Sequence, residues 1–280
     1  MRLIRAIRHE LALTWSSNAF ALIACFLLPI ALEATFLIRA VPELDATRNL
    51  DHLRGSDSFT AGDIIVFINK GMPPFDPITR KVFTLDMIWA APYFLFGYLA
   101  CSAFSKEAGA QACQIVTRIR SRGVWIVSRC ARATILVMCY LMWELLLAMA
   151  LGAVFGASPS LQPSEWSSVI SDISVRDPSF AALTLSCLSV PATAVAAALA
   201  VTAFSAALGP RIAFLLLIAL VVTSAYIAEP LLFLGSSMEL RGIVATGEWP
   251  AALRGIGVCF AVIAASLLCA PLMARKADFL

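Results

Sequence analysis

Long runs of apolar residues are the feature that most restricts how this chain can fold. The chain has 280 residues, of which 60% are hydrophobic and 14% are charged, whereas soluble globular proteins average about 45–50% apolar and about 25% charged residues. A helix needs about 20 consecutive apolar residues to cross the hydrocarbon of a bilayer, where the backbone must satisfy its own hydrogen bonds. We therefore expect an all-α integral membrane protein with a single transmembrane domain, residues 1–280.

The apolar runs predict six transmembrane helices, which we number as spans in chain order. They cover approximately residues 19–38, 87–104, 133–157, 179–208, 212–234 and 255–274. The first run exceeds the apolar region of a signal peptide, which is about 7–15 residues long, so we expect an uncleaved anchor. Asp86 precedes span two, where its carboxylate can cap free amides. Ala192, Ala196 and Ala200 recur at four-residue intervals in span four, a spacing that lets helices approach closely in lipid.

The N-terminal segment, residues 1–15, has the pattern of an amphipathic helix. Arg2, Arg5 and Arg8 recur at helical spacing, and leucine and isoleucine side chains supply the apolar remainder. A helix of this kind lies in the membrane interface with its cations toward the headgroups. We therefore expect an interfacial helix here.

The connection between spans two and three, residues 102–133, is the one long basic segment of the chain. It contains one acidic residue, Glu107, and six basic residues. The basic residues are Lys106, Arg118, Arg120, Arg122, Arg129 and Arg132. Because Lys and Arg in short loops are retained on the cytoplasmic side of a membrane, we expect this connection and both chain termini to be cytoplasmic.

The sequence contains no motif for nucleotide or metal chemistry. None of its lysines is followed by Ser or Thr, which excludes the P-loop pattern G-x-x-x-x-G-K-[ST]. The histidines, His9 and His52, fall on opposite sides of the membrane in the predicted topology, which excludes a His-based zinc site. No basic segment carries the interleaved aromatic residues that would suggest nucleic acid. We therefore expect a chain that binds no cofactor or metal and catalyses no reaction, and that draws energy from a partner or an ion gradient.

Three glutamates lie inside predicted spans with no basic residue beside them: Glu33, Glu144 and Glu229. A charged carboxylate in hydrocarbon is costly, so each is expected to be protonated, hydrogen-bonded to another helix, or exposed to a wet cavity. Two interpretations stay open, namely interhelical hydrogen bonds and a translocation path that attracts a cationic or amphipathic substrate. Glu144, which is nearest the membrane midplane, is the best candidate for the second.

The basic connection resembles the loop after the second span of ABC type-2 permeases. The similarity lies in Phe104-Ser105-Lys106-Glu107, Gly109, Gln111, Ile115-Val116, Arg118, Ser121-Arg122, Trp125 and Ser128-Arg129. The N-terminal amphipathic helix and six spans with both ends inside are also similar to that family. The resemblance implies a membrane-spanning permease subunit of a bacterial ABC exporter, located in the cytoplasmic (inner) membrane.

The resemblance also implies the partners of this subunit. Residues near 109–121 are expected to form a coupling helix that docks on a separate cytoplasmic ATPase subunit, which binds ATP and magnesium. The expected docking residues are Glu107, Gln111, Arg118, Arg120, Arg122, Trp125, Arg5 and Arg8, with Glu10 flanking the same subunit. A second permease, identical or homologous, would complete a dimer that encloses the path for a peptide, lipid or other amphipathic substrate.

Other functions also fit the sequence. An ion-coupled secondary carrier would use Glu33, Glu144 and Glu229, whereas a membrane immunity or sensor protein would need none of them for flux. Carriers often consist of two repeated halves, and the two halves of this sequence show no obvious repeat. The absence of an obvious repeat favours the permease over the secondary carrier. A membrane enzyme is the least favoured function.

Overall fold

The computed structural model of the protein describes residues 2–17, 19–48, 59–73, 75, 84–105, 122–155, 158–229 and 231–276. Over these residues the chain is helical and has no strand, with one isolated β-bridge between Thr60 and Ser158. The longer helices are α1 (Arg2–Ser17), α2 (Ala19–Arg48), α4 (Met87–Ser105), α5 (Arg122–Val154), α7 (Phe180–Leu208), α8 (Pro210–Tyr226) and α10 (Trp249–Lys276). The shorter ones are α3 (Ala61–Ile68), α6 (Trp166–Ser171) and α9 (Ile243–Thr246), with 3-10 turns at Phe233–Ser237 and Glu239–Arg241.

Five of the described helices are long and apolar enough to cross a membrane, which indicates a membrane-embedded protein. The candidate spans are Ala19–Pro42, Met87–Phe104, Gly123–Val154, Phe180–Leu208 and Trp249–Leu272. The apolar helix α8 is shorter, at 17 residues, or about 25 Å at about 1.5 Å per residue. The expectation of an all-α membrane protein is thus confirmed over the described residues, with five candidate spans.

The helix that carries span three begins before the span itself. The sequence predicts this, because Ser121 is placed as the N-cap of a helix that runs through Trp125 and Ser128 into the span. The predicted span begins at residue 133, and α5 begins at Arg122. The helix continues through the basic residues because Arg129 and Arg132 are buried inside the protein and bind partners there, as described below. Helix α5 therefore begins about three turns before the start of the predicted span.

The end of span five is also different. The prediction places it at residue 234, but α8 ends at Tyr226. Its last carbonyl groups are bound by a side chain from the next segment, since Arg241 donates to the oxygens of Ser224 and Ala225 at 2.8 and 2.6 Å. Burial lowers the pKa of the Arg241 guanidinium to about 10, so this group remains a cation at neutral pH.

α7 is the central helix of the bundle and contacts α4, α5, α8 and α10. Its small side chains are deeply buried, with Ala194 and Ala196 at 1% and 0% exposure. Helices α4 and α8 also approach each other closely. A Cβ atom added to Gly97 on α4 would lie 2.1 Å from Leu217 Cδ2 on α8. The prediction that small residues of span four pack against neighbouring helices is confirmed.

Two helix boundaries have clear local causes, and the first of them, at Asp86, confirms the prediction. Asp86 Oδ1 accepts a hydrogen bond from the backbone amide of Ile88 at 3.1 Å, at the start of α4. Between α7 and α8 the chain reverses at Gly209, whose φ of +89° lies in a region that residues with a side chain rarely adopt. Pro210 follows as the first residue of α8, a position where its missing amide hydrogen is not needed.

Three connections at one end of the bundle bind one another, and we call them together the cap. They are residues 59–73, 158–179, 227–229 and 231–248, the last two ranges belonging to one connection. Main-chain hydrogen bonds join them in pairs: Ala61 N to Ser158 O at 3.2 Å, Glu239 N to Asn69 O at 2.8 Å and Arg176 N to Val244 O at 2.8 Å. The cap therefore fixes the ends of α2, α5 and α8 relative to one another.

The carboxylate of Asp63 is the centre of the first two cap segments. It is 1% exposed, and its oxygens accept hydrogen bonds from the backbone amides and hydroxyls of Thr60 and Ser164 and from the hydroxyl of Ser167, at 2.5–3.0 Å. The bonds with Thr60 form a capping box at the start of α3. One buried carboxylate therefore both starts α3 and binds it to residues 164–167.

We predict that Asp63→Ala lowers the free energy of unfolding by about 3 kcal/mol or more, because it leaves several buried donors without an acceptor. The measurement is thermal unfolding of the purified chain in detergent. Asp172→Ala is the control, since Asp172 contacts Lys70 at 3.0 Å but its side chain is 83% exposed, and exposed ion pairs contribute at most about 1 kcal/mol. Equal effects of the two substitutions would contradict a central role for Asp63.

Candidate functional site

The predicted docking surface lies at the end of the bundle opposite the cap. There α1 packs against α5, and Arg5 and Arg8 on α1 are exposed. Arg122 is the first residue of α5. The other docking candidates of the connection, Glu107, Gln111, Arg118 and Arg120, lie outside the described residues.

Glu10 does not belong to this exposed face. Its side chain is 1% exposed, and it pairs with Arg129 (Nε to Oε1, 3.8 Å) and with Arg132 (Nη1 to Oε2, 3.7 Å). We call these three residues the ion cluster. The expectation that Glu10 flanks a partner subunit is therefore wrong, and so is the placement of Arg129 and Arg132 in a basic loop.

The ion cluster also binds the end of α4. Arg129 Nη1 donates to the carbonyl oxygen of Ala103 at 2.5 Å, and Arg132 Nη2 donates to that of Leu99 at 3.3 Å. Ala103 belongs to the last turn of α4, where carbonyl groups lack a partner within the helix. Through these contacts α1, α4 and α5 are held together by buried charges.

The side chain of Trp125 packs against Arg129 of the ion cluster. Its ring is 2% exposed, it lies 4.2 Å from the Arg129 guanidinium carbon, and it packs edge-on against Phe104 at 6.0 Å between ring centroids. This burial leaves no ring surface for a partner subunit. Trp125 thus stabilises the base of the predicted docking surface by a cation–π contact and does not form part of its exposed face.

Of the three glutamates predicted to form a translocation path, the structure brings two together. Glu33 on α2 and Glu144 on α5 are 0% and 5% exposed and are close enough to interact electrostatically. Neither makes a hydrogen bond with another described residue, so the interpretation as interhelical hydrogen bonds is not supported. Glu229 is separate, because it is exposed beyond the end of α8, where it lines a different cavity of about 290 Å³.

A second cavity, of about 250 Å³, lies between α3, α5 and α7 beneath the cap. Most of its wall is apolar, and the polar side chains in the wall are Asn69, Glu144, Ser186 and Glu239. No Lys, Arg or His among the described residues lines it. We call this space the acidic cavity.

Glu239 is the residue of this site that sequence reasoning missed. It is 5% exposed; its Oε1 accepts a 2.5 Å hydrogen bond from the Ser186 hydroxyl, whereas Oε2 has no partner among the described residues. Burial raises the pKa of the Glu239 carboxyl to about 7, and the Ser186 hydroxyl opposes this shift. An acid between two spans is normally solvated, and the apolar neighbours Met238 and Leu240 were the only sequence signal of its burial.

No protein-family model, curated protein or solved structure matches the chain. Within the part of the chain that the structure describes, no group of His, Cys, Asp and Glu side chains is arranged to hold a metal ion. Two arrangements, at opposite ends of the bundle, therefore bear on function: the ion cluster below α1 and the acidic cavity beneath the cap.

We predict that Glu10→Ala destabilises the protein by about 3–5 kcal/mol, because it leaves two buried guanidinium groups without their carboxylate. Thermal unfolding in detergent measures the effect, and limited proteolysis of α1 should become faster in parallel. Glu248→Gln, which alters an exposed carboxylate at the other end of the bundle, is the matched control and should shift stability by less than about 0.5 kcal/mol. A Glu10→Ala variant as stable as this control would exclude the ion cluster as a stabilising element.

We further predict that the stability of the protein falls as the pH rises from about 4.3, the ordinary pKa of Glu, to about 7, the pKa of buried Glu239. The folded protein retains the proton in this range and the unfolded chain releases it, so rising pH favours unfolding, by on the order of 3 kcal/mol over the whole window. Glu239→Gln should remove this part of the pH dependence in thermal unfolding scans. Glu165→Gln, at an exposed position of the cap, should leave it intact, and identical slopes in native chain and Glu239→Gln would refute the prediction.

Proposed function

We propose that the chain is the membrane-spanning permease subunit of a bacterial ABC exporter. In this proposal α8 is the fifth of six crossings of the inner membrane, both termini and the 106–121 connection are cytoplasmic, and the cap faces outward. At about 25 Å, α8 is slightly shorter than the hydrocarbon of about 30 Å, a mismatch that bilayers accommodate by local thinning.

The observation that carries the proposal is the ion cluster. It holds α1, α4 and α5 together immediately beside the 106–121 connection, whose two flanking helices are α4 and α5. A partner subunit bound to that connection and to the exposed cations of α1 would therefore act on a single rigid unit. A soluble motor that drives a membrane subunit requires such a unit, because a loop that moves by itself transmits no displacement to the bundle.

The proposal assigns ATP and magnesium to the separate cytoplasmic ATPase subunit and no catalytic residue to this chain. A second permease, identical or homologous, would face this one and enclose the path for a peptide, lipid or other amphipathic substrate. Glu144 and its neighbour Glu33 would lie along that path, where their carboxyl groups favour cationic groups of a substrate.

The proximity of Glu33 and Glu144 also favours a second candidate, an ion-coupled secondary carrier. Two neighbouring carboxyl groups within the bundle can bind and release a proton together, as in proton relays of carriers. A carrier would transport its substrate without an ATPase, and an uncoupler would abolish that transport.

We predict that the tagged native chain co-purifies with an ATPase subunit and that the double substitution Arg118→Glu with Arg122→Glu abolishes this association. Charge reversal replaces attraction to an acidic partner surface by repulsion and slows the encounter as well. Affinity purification from native membranes followed by mass spectrometry measures the result, and the partner is recognised by its P-loop sequence.

The matched control reverses two exposed arginines at the cap end, Arg176→Glu with Arg254→Glu, and should leave the association unchanged. The proposal fails if the Arg118/Arg122 double variant retains the ATPase. It also fails if the native chain purifies without an ATPase and transports in proteoliposomes by itself.

A further inference from the structure

We propose that the acidic cavity is a binding site for a small lipophilic amine in its ammonium form. The cavity of about 250 Å³ corresponds to roughly eight times the volume of about 30 Å³ that a water molecule occupies in the liquid. It lies just below the usual range of small-molecule sites, about 300–1,000 Å³. An alkyl or aryl amine of about a dozen non-hydrogen atoms is of the right size.

The charge of the site follows from the two carboxyl groups in its wall. Glu144 and Glu239 are each 5% exposed. Glu144 makes no hydrogen bond with a described residue, and Oε2 of Glu239 is a fully buried oxygen that has no hydrogen-bond partner among the described residues. Buried acceptors without a donor are rare in proteins because they are energetically costly. Since no described cation lines the cavity, a ligand that brings both a positive charge and N–H donors satisfies them.

The remainder of the wall favours an organic cation over other cations. Met138, Met142 and Ile65 contribute apolar surface suited to a hydrocarbon body, and methionine side chains adapt to varied shapes. The described residues provide no metal-binding group. Among the described residues no aromatic ring lines the cavity, although sites for quaternary ammonium use aromatic rings, so the expected ligand is a primary, secondary or tertiary amine.

The position of the cavity connects it with the proposed transport path. Its wall extends from Glu239 in the cap to Glu144 within α5, so a bound amine would lie inside the half of the bundle nearest the cap. That this amine is a transported substrate rests on the proposed function, whereas binding itself requires only this chain.

A cysteine in the cavity wall provides the test. Cys187 lines the acidic cavity and is a free, exposed thiol, as is Cys269 on α10, outside the cavity. The purified full-length chain in detergent is treated with N-ethylmaleimide in the presence of 4-phenylbutylamine, and modification of each cysteine is followed by mass spectrometry of its peptide. We expect the amine to slow the modification of Cys187 by about tenfold and to leave that of Cys269 unchanged.

The neutral analogue 4-phenyl-1-butanol has nearly the same size and hydrophobicity and should give no protection at equal concentration. Glu144→Gln and Glu239→Gln should each raise the amine concentration for half-protection by about tenfold, the loss of about 1.4 kcal/mol of binding free energy. Glu248→Gln, at an exposed position outside this cavity, should leave the half-protection concentration unchanged.

Equal protection by the amine and the alcohol overturns the proposal, and so does unchanged protection in both glutamine variants. If a variant does not fold, the comparison of amine and alcohol on the native chain still decides. The outcome is independent of the ATPase: absence of amine binding leaves the ATPase association standing, and absence of an ATPase partner leaves the amine site standing.

Discussion

The structure depends on satisfying backbone groups at helix ends that water does not reach. In a protein surrounded by hydrocarbon, an unpaired carbonyl or amide group has no solvent partner, and every helix has several such groups at each end. Here charged side chains that are wholly or partly buried take that role: Arg129 at the end of α4, the half-buried Arg241 at the end of α8 and Asp63 at the start of α3. Their signs agree with the helix dipole, with cations at carboxyl ends and the carboxylate at an amino end.

The charged side chains that are shielded from solvent fall into two groups, according to whether they bind backbone groups or hydroxyls or keep free carboxyl oxygens. Arg129, Arg241 and Asp63 are bound to backbone or hydroxyl groups and account for the fold. Glu33, Glu144 and Glu239 are buried as deeply, yet they bind no helix end and retain carboxyl oxygens without a hydrogen bond among the described residues. Because burying them destabilises the bundle and no local contact compensates in full, they are the residues on which the proposed function and the proposed amine site depend.

The sequence predicts the positions of the helices well and the partners of the charged residues poorly. Apolar runs, Asp86 and the Gly209-Pro210 turn are local signals, so they locate the helices without knowledge of the rest of the structure. The ion pair between Glu10 and Arg129 joins positions distant in the chain, and no local pattern distinguishes it from two surface charges. For the same reason Glu239 was missed, since only the packing of the cap against α7 shows that a residue between two spans is buried.

The helix α5 connects the two parts of the protein to which we assign function. Arg132 near its start belongs to the ion cluster, and Glu144, about three turns or 18 Å further along, lines the acidic cavity. A helix of this length is stiff, and packed interfaces shift between discrete arrangements and do not deform continuously. In the proposed exporter, a displacement imposed on the 106–121 connection would therefore move one wall of the cavity against α7. The energy of the partner's ATP would thus reach the amine site through a single helix, with the cap holding the far end of α5 in place.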